Sequence, residues 1–124
     1  MPILDRRCLL GFLAAMIALP SAPVTAEGNA PTLLVVGDSI SAGYGLAPGE
    51  GWVSLLAARV AQERYDYKVV NGSIGGDTTA GGRARLPALL AEHRPAIVVI
   101  ELGGNDALRG QPLAQTRANL DAMV

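Results

Sequence analysis

The 124 residues are 50% apolar, 17% charged and 4% aromatic, with ten Lys and Arg against eleven Asp and Glu, one Cys and one His. A formal charge of −1 leaves no basic excess to hold nucleic acid or an anionic membrane surface, and the apolar content is too high for a disordered chain. One domain at most fits the length, and fifteen Gly and eight Pro without a fixed period indicate many tight loops rather than a collagen-like chain or a solenoid.

The chain opens on Arg6 and Arg7, an uncharged run of 12 residues from Cys8 to Leu19, and a small-residue stretch ending Val24-Thr25-Ala26. This reads as a secretory signal peptide over 1–26, cut after Ala26, with the domain proper at 27–124. Arg6-Arg7 also resembles a twin-arginine signal. The apolar run falls well short of the roughly 20 residues that a spanning helix needs, so no stable membrane anchor is expected. Cleavage removes Cys8, the sole cysteine, which leaves no disulfide and no Cys-ligated metal. With His93 the lone histidine, a transition-metal site is not expected either, and neither is any other cofactor.

Thr32–Gly37 is a short continuous apolar run ending at glycine, the pattern of a strand buried on both faces. Trp52 to Arg64 follows as a helix whose stripe is Trp52, Leu55, Leu56 and Val60. A second strand is expected over Tyr67–Asn71. The next helix shows a stripe of Leu86, Leu89, Leu90 and His93, with Pro87 in its first turn and Leu86 pushed out of the helical region. The third strand, Ala96–Leu102, is the strongest run, and a last helix is expected from about Pro112, using Leu113, Leu120, Met123 and Val124. Strands alternating with helices predict an α/β fold: a parallel sheet with right-handed crossovers and helices on both faces, three layers in all.

Ligands of such a sheet bind outside the carboxyl ends of its strands, where strand order reverses. Three loops leave those ends: Gly37 to Gly43, Asn71 to Thr78, and Gly103 to Asp106. Each is rich in Gly and small polar residues. If the first strand is central, Ser39 is flanked by Gly76 and Asn105, each one strand spacing away, roughly 5 Å.

A serine just past a strand end is a candidate nucleophile. Its attack on an ester carbonyl creates an oxyanion that needs donors fixed beforehand, and Ser39 N–H, Gly76 N–H and the Asn105 amide are placed to supply three. Taken singly, Gly-Asp-Ser, Gly-Gly-Asp and Gly-Asn-Asp are also ordinary turn chemistry. Asp38, Asp77 and Asp106 are expected to cap helices and brace the loops, a magnesium-dependent phosphohydrolase being the other use of three such carboxylates. Glu101, inside a buried strand, is expected to pair with a basic side chain. Asn71-Gly72-Ser73 is formally a glycosylation sequon, discounted because the leader looks bacterial.

Together the three blocks resemble the GDSL, or SGNH, hydrolase family. Gly37-Asp38-Ser39-Ile40-Ser41 is similar to its first block, Gly76 to its second-block glycine, and Gly103-Gly104-Asn105-Asp106 to its third-block Gly-x-Asn-Asp. Glu101-Leu102 and Leu108-Arg109-Gly110 look most like the bacterial periplasmic thioesterase/lysophospholipase and arylesterase branch. The resemblance covers nearly all of residues 32–124. It implies a flavodoxin-like parallel sheet in the SGNH hydrolase fold, with Ser39 as nucleophile and Gly76 and Asn105 completing the oxyanion hole. It also implies a small acyl-ester or lipid-like substrate and a periplasmic or secreted location. The alternative from the binding class is a domain that keeps the carbonyl pocket without turnover.

The family's Asp-x-x-His block has no counterpart here, and His93 is expected at the wrong edge of the sheet. A strand of six residues at roughly 3.3 Å each separates the two edges by about 20 Å. His93 therefore reads as a helix-end packing residue. The chain ends at Val124 within an apolar helix pattern, so it is expected to be truncated after the third βα unit and inactive alone.

Overall fold

The computed structural model describes residues 30–124, so the expected leader and its cleavage point lie outside the described residues. In chain order the elements are β1 (Thr32–Gly37), α1 (Ser39–Ala42), α2 (Trp52–Gln62), β2 (Lys68–Asn71), α3 (Thr79–His93), β3 (Ile97–Glu101), α4 (Gly104–Leu108) and α5 (Leu113–Asp121).

The strands form one parallel sheet in the order β2-β1-β3. Leu34 lies opposite Val70 on one side and Val98 on the other, and Gly37 opposite Glu101. The first crossover steps outward to β2, whereas the second steps back past β1 to β3. Under the right-handed rule for parallel crossovers, steps in opposite directions put their helices on opposite faces of the sheet. α2 lies against β2, and α3 against β1 and α5. The parallel α/β sheet that the sequence predicts is thus present, with β1 central.

Alternation along β1 divides the core. Leu34 and Val36 are fully buried and pack with Leu86 of α3, against which Val70, Leu89, Val98, Leu102 and Met123 close. Val35, pointing the other way, is equally buried. Gly82 lets α3 approach Leu102, the residue after β3, because a Cβ there would fall 2.2 Å from Leu102 Cδ1.

Four expectations need correction. α3 begins at Thr79, with Pro87 inside it and Leu86 helical. Burial of Leu86 against Leu34 and Val36 outweighs the local preference of a pre-proline residue. The Thr78 side chain caps this earlier start by accepting from Gly81 N. α5 stops at Asp121, and it buries Thr116 and Asn119 rather than an apolar stripe, leaving Leu113 and Val124 exposed. α2 ends at Gln62, since Arg64 has a left-handed φ of 59°. Finally, among the described residues Glu101 has no basic partner: its Oε2 accepts from Ser41 Oγ at 2.7 Å, and that hydroxyl accepts from Trp52 Nε1 at 3.1 Å.

Candidate active site

The carboxyl ends of the three strands deliver three loops to one edge of the sheet. Ser39, half-buried, is the first residue of α1 and follows β1 after a single residue, Asp38. Asp38 is almost wholly buried, and its Oδ1 accepts from Ile40 N at 2.9 Å, capping α1. Gly43 closes this one-turn helix in the left-handed conformation. A short helix bounded so tightly holds Ser39 at the strand end.

Gly76 lies in the loop after β2 with a φ of 78°, where an L side chain is strained. Its carbonyl accepts from Arg109 Nη2 at 2.8 Å. Neither Gly76 N–H nor Ser39 N–H donates to a backbone acceptor among the described residues.

Asn105, in α4, joins the three loops. Its Nδ2 donates to Asp38 Oδ2 at 3.1 Å and to the Asp77 carbonyl at 2.9 Å. Asp38 is the chain neighbour of Ser39, and Asp77 that of Gly76. One side-chain amide therefore fastens the β3 loop to the residues beside both other groups, and both its hydrogens are engaged there.

The remaining carboxylates are each satisfied by different donors. Asp77 Oδ1 accepts from Thr78 N at 2.9 Å, and its Oδ2 from Arg85 Nε at 2.7 Å. Asp106, 3% exposed, accepts from Thr79 N at 2.8 Å and Thr79 Oγ1 at 2.5 Å, and from Thr116 Oγ1 at 3.3 Å. Burial pushes the Asp106 carboxyl upward, but the hydrogen bonds from Thr79 and Thr116 outweigh it and hold the carboxyl below its ordinary value. Asp106 thus braces α3 and α5 rather than capping a helix. Among the described residues no three His, Cys, Asp or Glu side chains gather closely enough to hold a metal ion.

His93 ends α3 and lies with Pro31, Thr32, Lys68 and Arg94 at the amino edge of the sheet, opposite Ser39. Ile40 and Ile74, in the first two loops, and Leu108, at the end of α4 beyond the third, are exposed large apolar residues. No helix among the described residues is long and apolar enough to cross a membrane.

Sequence reasoning missed Arg85. From α3 its guanidinium reaches Asp77, the Gly72 carbonyl and, at 3.3 Å, the Gly37 carbonyl. The signal for it was its place beside Leu86, whereas Arg83, two residues earlier, is exposed.

The model of the GDSL-like lipase/acylhydrolase family matches residues 35–124. Esterase TesA of Pseudomonas aeruginosa is 59% identical over 119 residues, covering 96% of this chain and 57% of that protein. Thioesterase 1/protease 1/lysophospholipase L1 of Escherichia coli K12 is 50% identical over 93 residues, covering 73% of this chain and 42% of that one. Among solved structures, that of TesA matches with a TM-score of 0.73 and 68% identity over 74% of this chain and 51% of its own. AlinE4, an SGNH-hydrolase family esterase, matches with a TM-score of 0.72 and 36% identity over 79% and 53%. The chain spans about half the length of the relatives it matches. Three ordered blocks, the sheet that carries them and these matches agree: the chain belongs to the GDSL-like lipase/acylhydrolase family.

Proposed function

We propose that the protein is an exported serine ester hydrolase in which Ser39 is the nucleophile and the N–H groups of Ser39 and Gly76, with the Asn105 amide, form the oxyanion hole. The observation that carries this reading is the double hydrogen bond of Asn105, which ties the third loop to the neighbours of Ser39 and of Gly76. The backbone N–H groups of Ser39 and Gly76, without backbone acceptors, are free to donate to a substrate oxygen.

Ser39 Oγ attacks the carbonyl carbon while its proton passes to a general base. The tetrahedral oxyanion collapses with expulsion of the alcohol or thiol, which is protonated on leaving. Water then hydrolyses the acyl-enzyme and restores the hydroxyl. For Asn105 to join the oxyanion hole, one of its two present acceptors must be exchanged or shared. His93, at the opposite edge, is too far to be the base, so that group comes from outside the described residues or from another chain.

The substrate class follows from the surroundings of Ser39. Ile40, Ile74 and Leu108 give the rim an apolar character suited to an acyl chain. The relatives are named esterase, arylesterase and thioesterase/lysophospholipase, which supports small acyl esters, thioesters or lysolipids. The reading requires no metal and no cofactor. The leader directs the protein to the periplasm, and N-terminal sequencing of the exported form should begin at Glu27. An intact Met1 start in the cytoplasm contradicts that.

The experiment on the function itself is ester turnover by the full-length protein and its Ser39→Ala variant. Turnover should vanish in the variant, and retention of full activity refutes the assignment.

A further inference from the structure

We propose that Arg85 is a positioning residue for ester turnover, holding the loops that bear Ser39 and Gly76 in mutual register without itself touching the substrate. The inference rests on the hydrolase reading above and deepens it.

The guanidinium has five N–H donors in a rigid plane, and here they reach three acceptors on two segments, the end of β1 and the loop after β2. Nε donates to Asp77 Oδ2 at 2.7 Å, one residue beyond Gly76. Nη1 donates to the carbonyl of Gly72, directly after β2. Nη2 lies 3.3 Å from the carbonyl of Gly37, two residues before Ser39. Gly37 O also accepts from Ile74 N at 3.0 Å, so the β1 terminus and the β2 loop are joined both directly and through Arg85. Asp77 in turn gives its carbonyl to Asn105. Arg85 therefore touches Asp77, the chain neighbour of Gly76 and a partner of Asn105, and Gly37, two residues before Ser39.

The Arg85 and Asp77 side chains are only 19% and 11% exposed. A buried ion pair is a poor source of net stability, since desolvation cancels most of the attraction. What the fork supplies instead is geometry: one rigid group fixes both ends of the β2 loop to each other and to the end of β1. An oxyanion hole depends on such fixing, because a misplacement on the order of 1 Å costs about 10²-fold in rate. Lysine, with a single ammonium, cannot span all three acceptors, so charge alone does not replace the fork.

The test uses the full-length protein with Arg85→Met and Arg85→Lys. A fluorophosphonate titrates the reactive serine, so that kcat is expressed per competent site and loss of folded protein is removed from the comparison. We expect kcat per site to fall about 10- to 100-fold in Arg85→Met with KM little changed, and by a smaller factor in Arg85→Lys. Amide hydrogen exchange at Gly76 and Asp77 should quicken at least about tenfold in Arg85→Met. Unchanged kcat per site in either variant, or a loss confined to the titratable fraction, overturns the proposal. If Arg85→Met does not fold, Arg85→Lys decides by the same criterion. Absence of any titratable serine in the wild type refutes the hydrolase reading instead, and the exchange rates, which need no turnover, then decide whether Arg85 fixes the loops.

Discussion

Asn105 Nδ2 stands 3.1 Å from Asp38 Oδ2, although the two residues belong to loops that leave different strands. The same carboxylate caps α1 through Ile40 N, so Asp38 links the start of the nucleophile helix to the side chain proposed as an oxyanion donor. Asp38→Ala should therefore have two separable effects. Loss of the cap should cost about 1 kcal/mol in urea unfolding, and release of Asn105 should lower kcat. Asp38→Asn has one acceptor oxygen for the two donors: it should recover the cap through Ile40 N but not the link to Asn105, so that stability returns while kcat stays low. Wild-type turnover in Asp38→Ala would show that the link to Asn105 has no bearing on the chemistry.

Asn105→Ala should lower kcat by about 10²-fold or more, the ordinary cost of losing one oxyanion donor, while KM changes far less. Steady-state kinetics on an aryl ester distinguishes this from a binding role, which would raise KM and leave kcat in place.

A second polar cluster joins α3, α4 and α5. Asn119 Nδ2 donates to Thr79 Oγ1 at 3.1 Å, Thr79 Oγ1 donates to Asp106, and Arg83 Nη1 donates to Asn119 at 3.3 Å. Thr79→Val keeps the shape of the side chain but strips a buried carboxylate and a buried amide of a partner. It should destabilise the fold by about 1–3 kcal/mol, measured by chemical denaturation. A change within a few tenths of a kcal/mol would mean that water or rearranged side chains replace the hydroxyl.

The same cluster sets an acid limit. The Asp106 carboxyl is held below its ordinary value in the folded state, so the folded protein binds this proton less readily than the unfolded chain. Its contribution to stability is complete above the ordinary carboxylate value and is lost as pH falls through the lowered one. Denaturation followed from neutral pH down through the carboxylate range should show stability falling in that window, and Asp106→Asn should flatten the slope there. An unchanged slope would place the acid sensitivity in other groups.

Gly76 has a left-handed backbone, and a Cβ added there would meet only Arg109 Nη2, at 3.7 Å. The penalty of Gly76→Ala is thus conformational rather than steric, on the order of 1–2 kcal/mol. A drop in kcat larger than the loss of stability explains should accompany it, since relief of the strain turns the peptide that carries the proposed donor. Calorimetry and kinetics on one preparation test the pair of effects.

The β1 bounds, Thr32–Gly37, were legible to the residue because an unbroken apolar run ending in glycine has few other uses. The order of strands was legible only as a condition, that β1 lie between the other two, which the sheet fulfils. α3 was misread at its start: Thr79 to Arg85 includes two glycines and shows no apolar stripe, and Pro87 looked like a boundary. The long-range burial of Leu86 that overrides this leaves no local trace. α5 was misjudged for the related reason that its inward face is polar, matched to Asp106 and Thr79 across the fold. That Ser39, Gly76 and Asn105 share the carboxyl edge of the sheet was legible because each lies in a segment that leaves a strand end. Arg85 and the Ser41–Glu101 contact were not, since partners separated by 48 and 60 positions are set only by the packed sheet.

The central claim is that Ser39 is the nucleophile, and peptide mapping of the full-length protein after reaction with a fluorophosphonate tests it most directly. The account predicts one covalent adduct per chain, located on Ser39 and absent from Ser39→Ala. An adduct on another residue, or ester turnover that survives in Ser39→Ala, would contradict it.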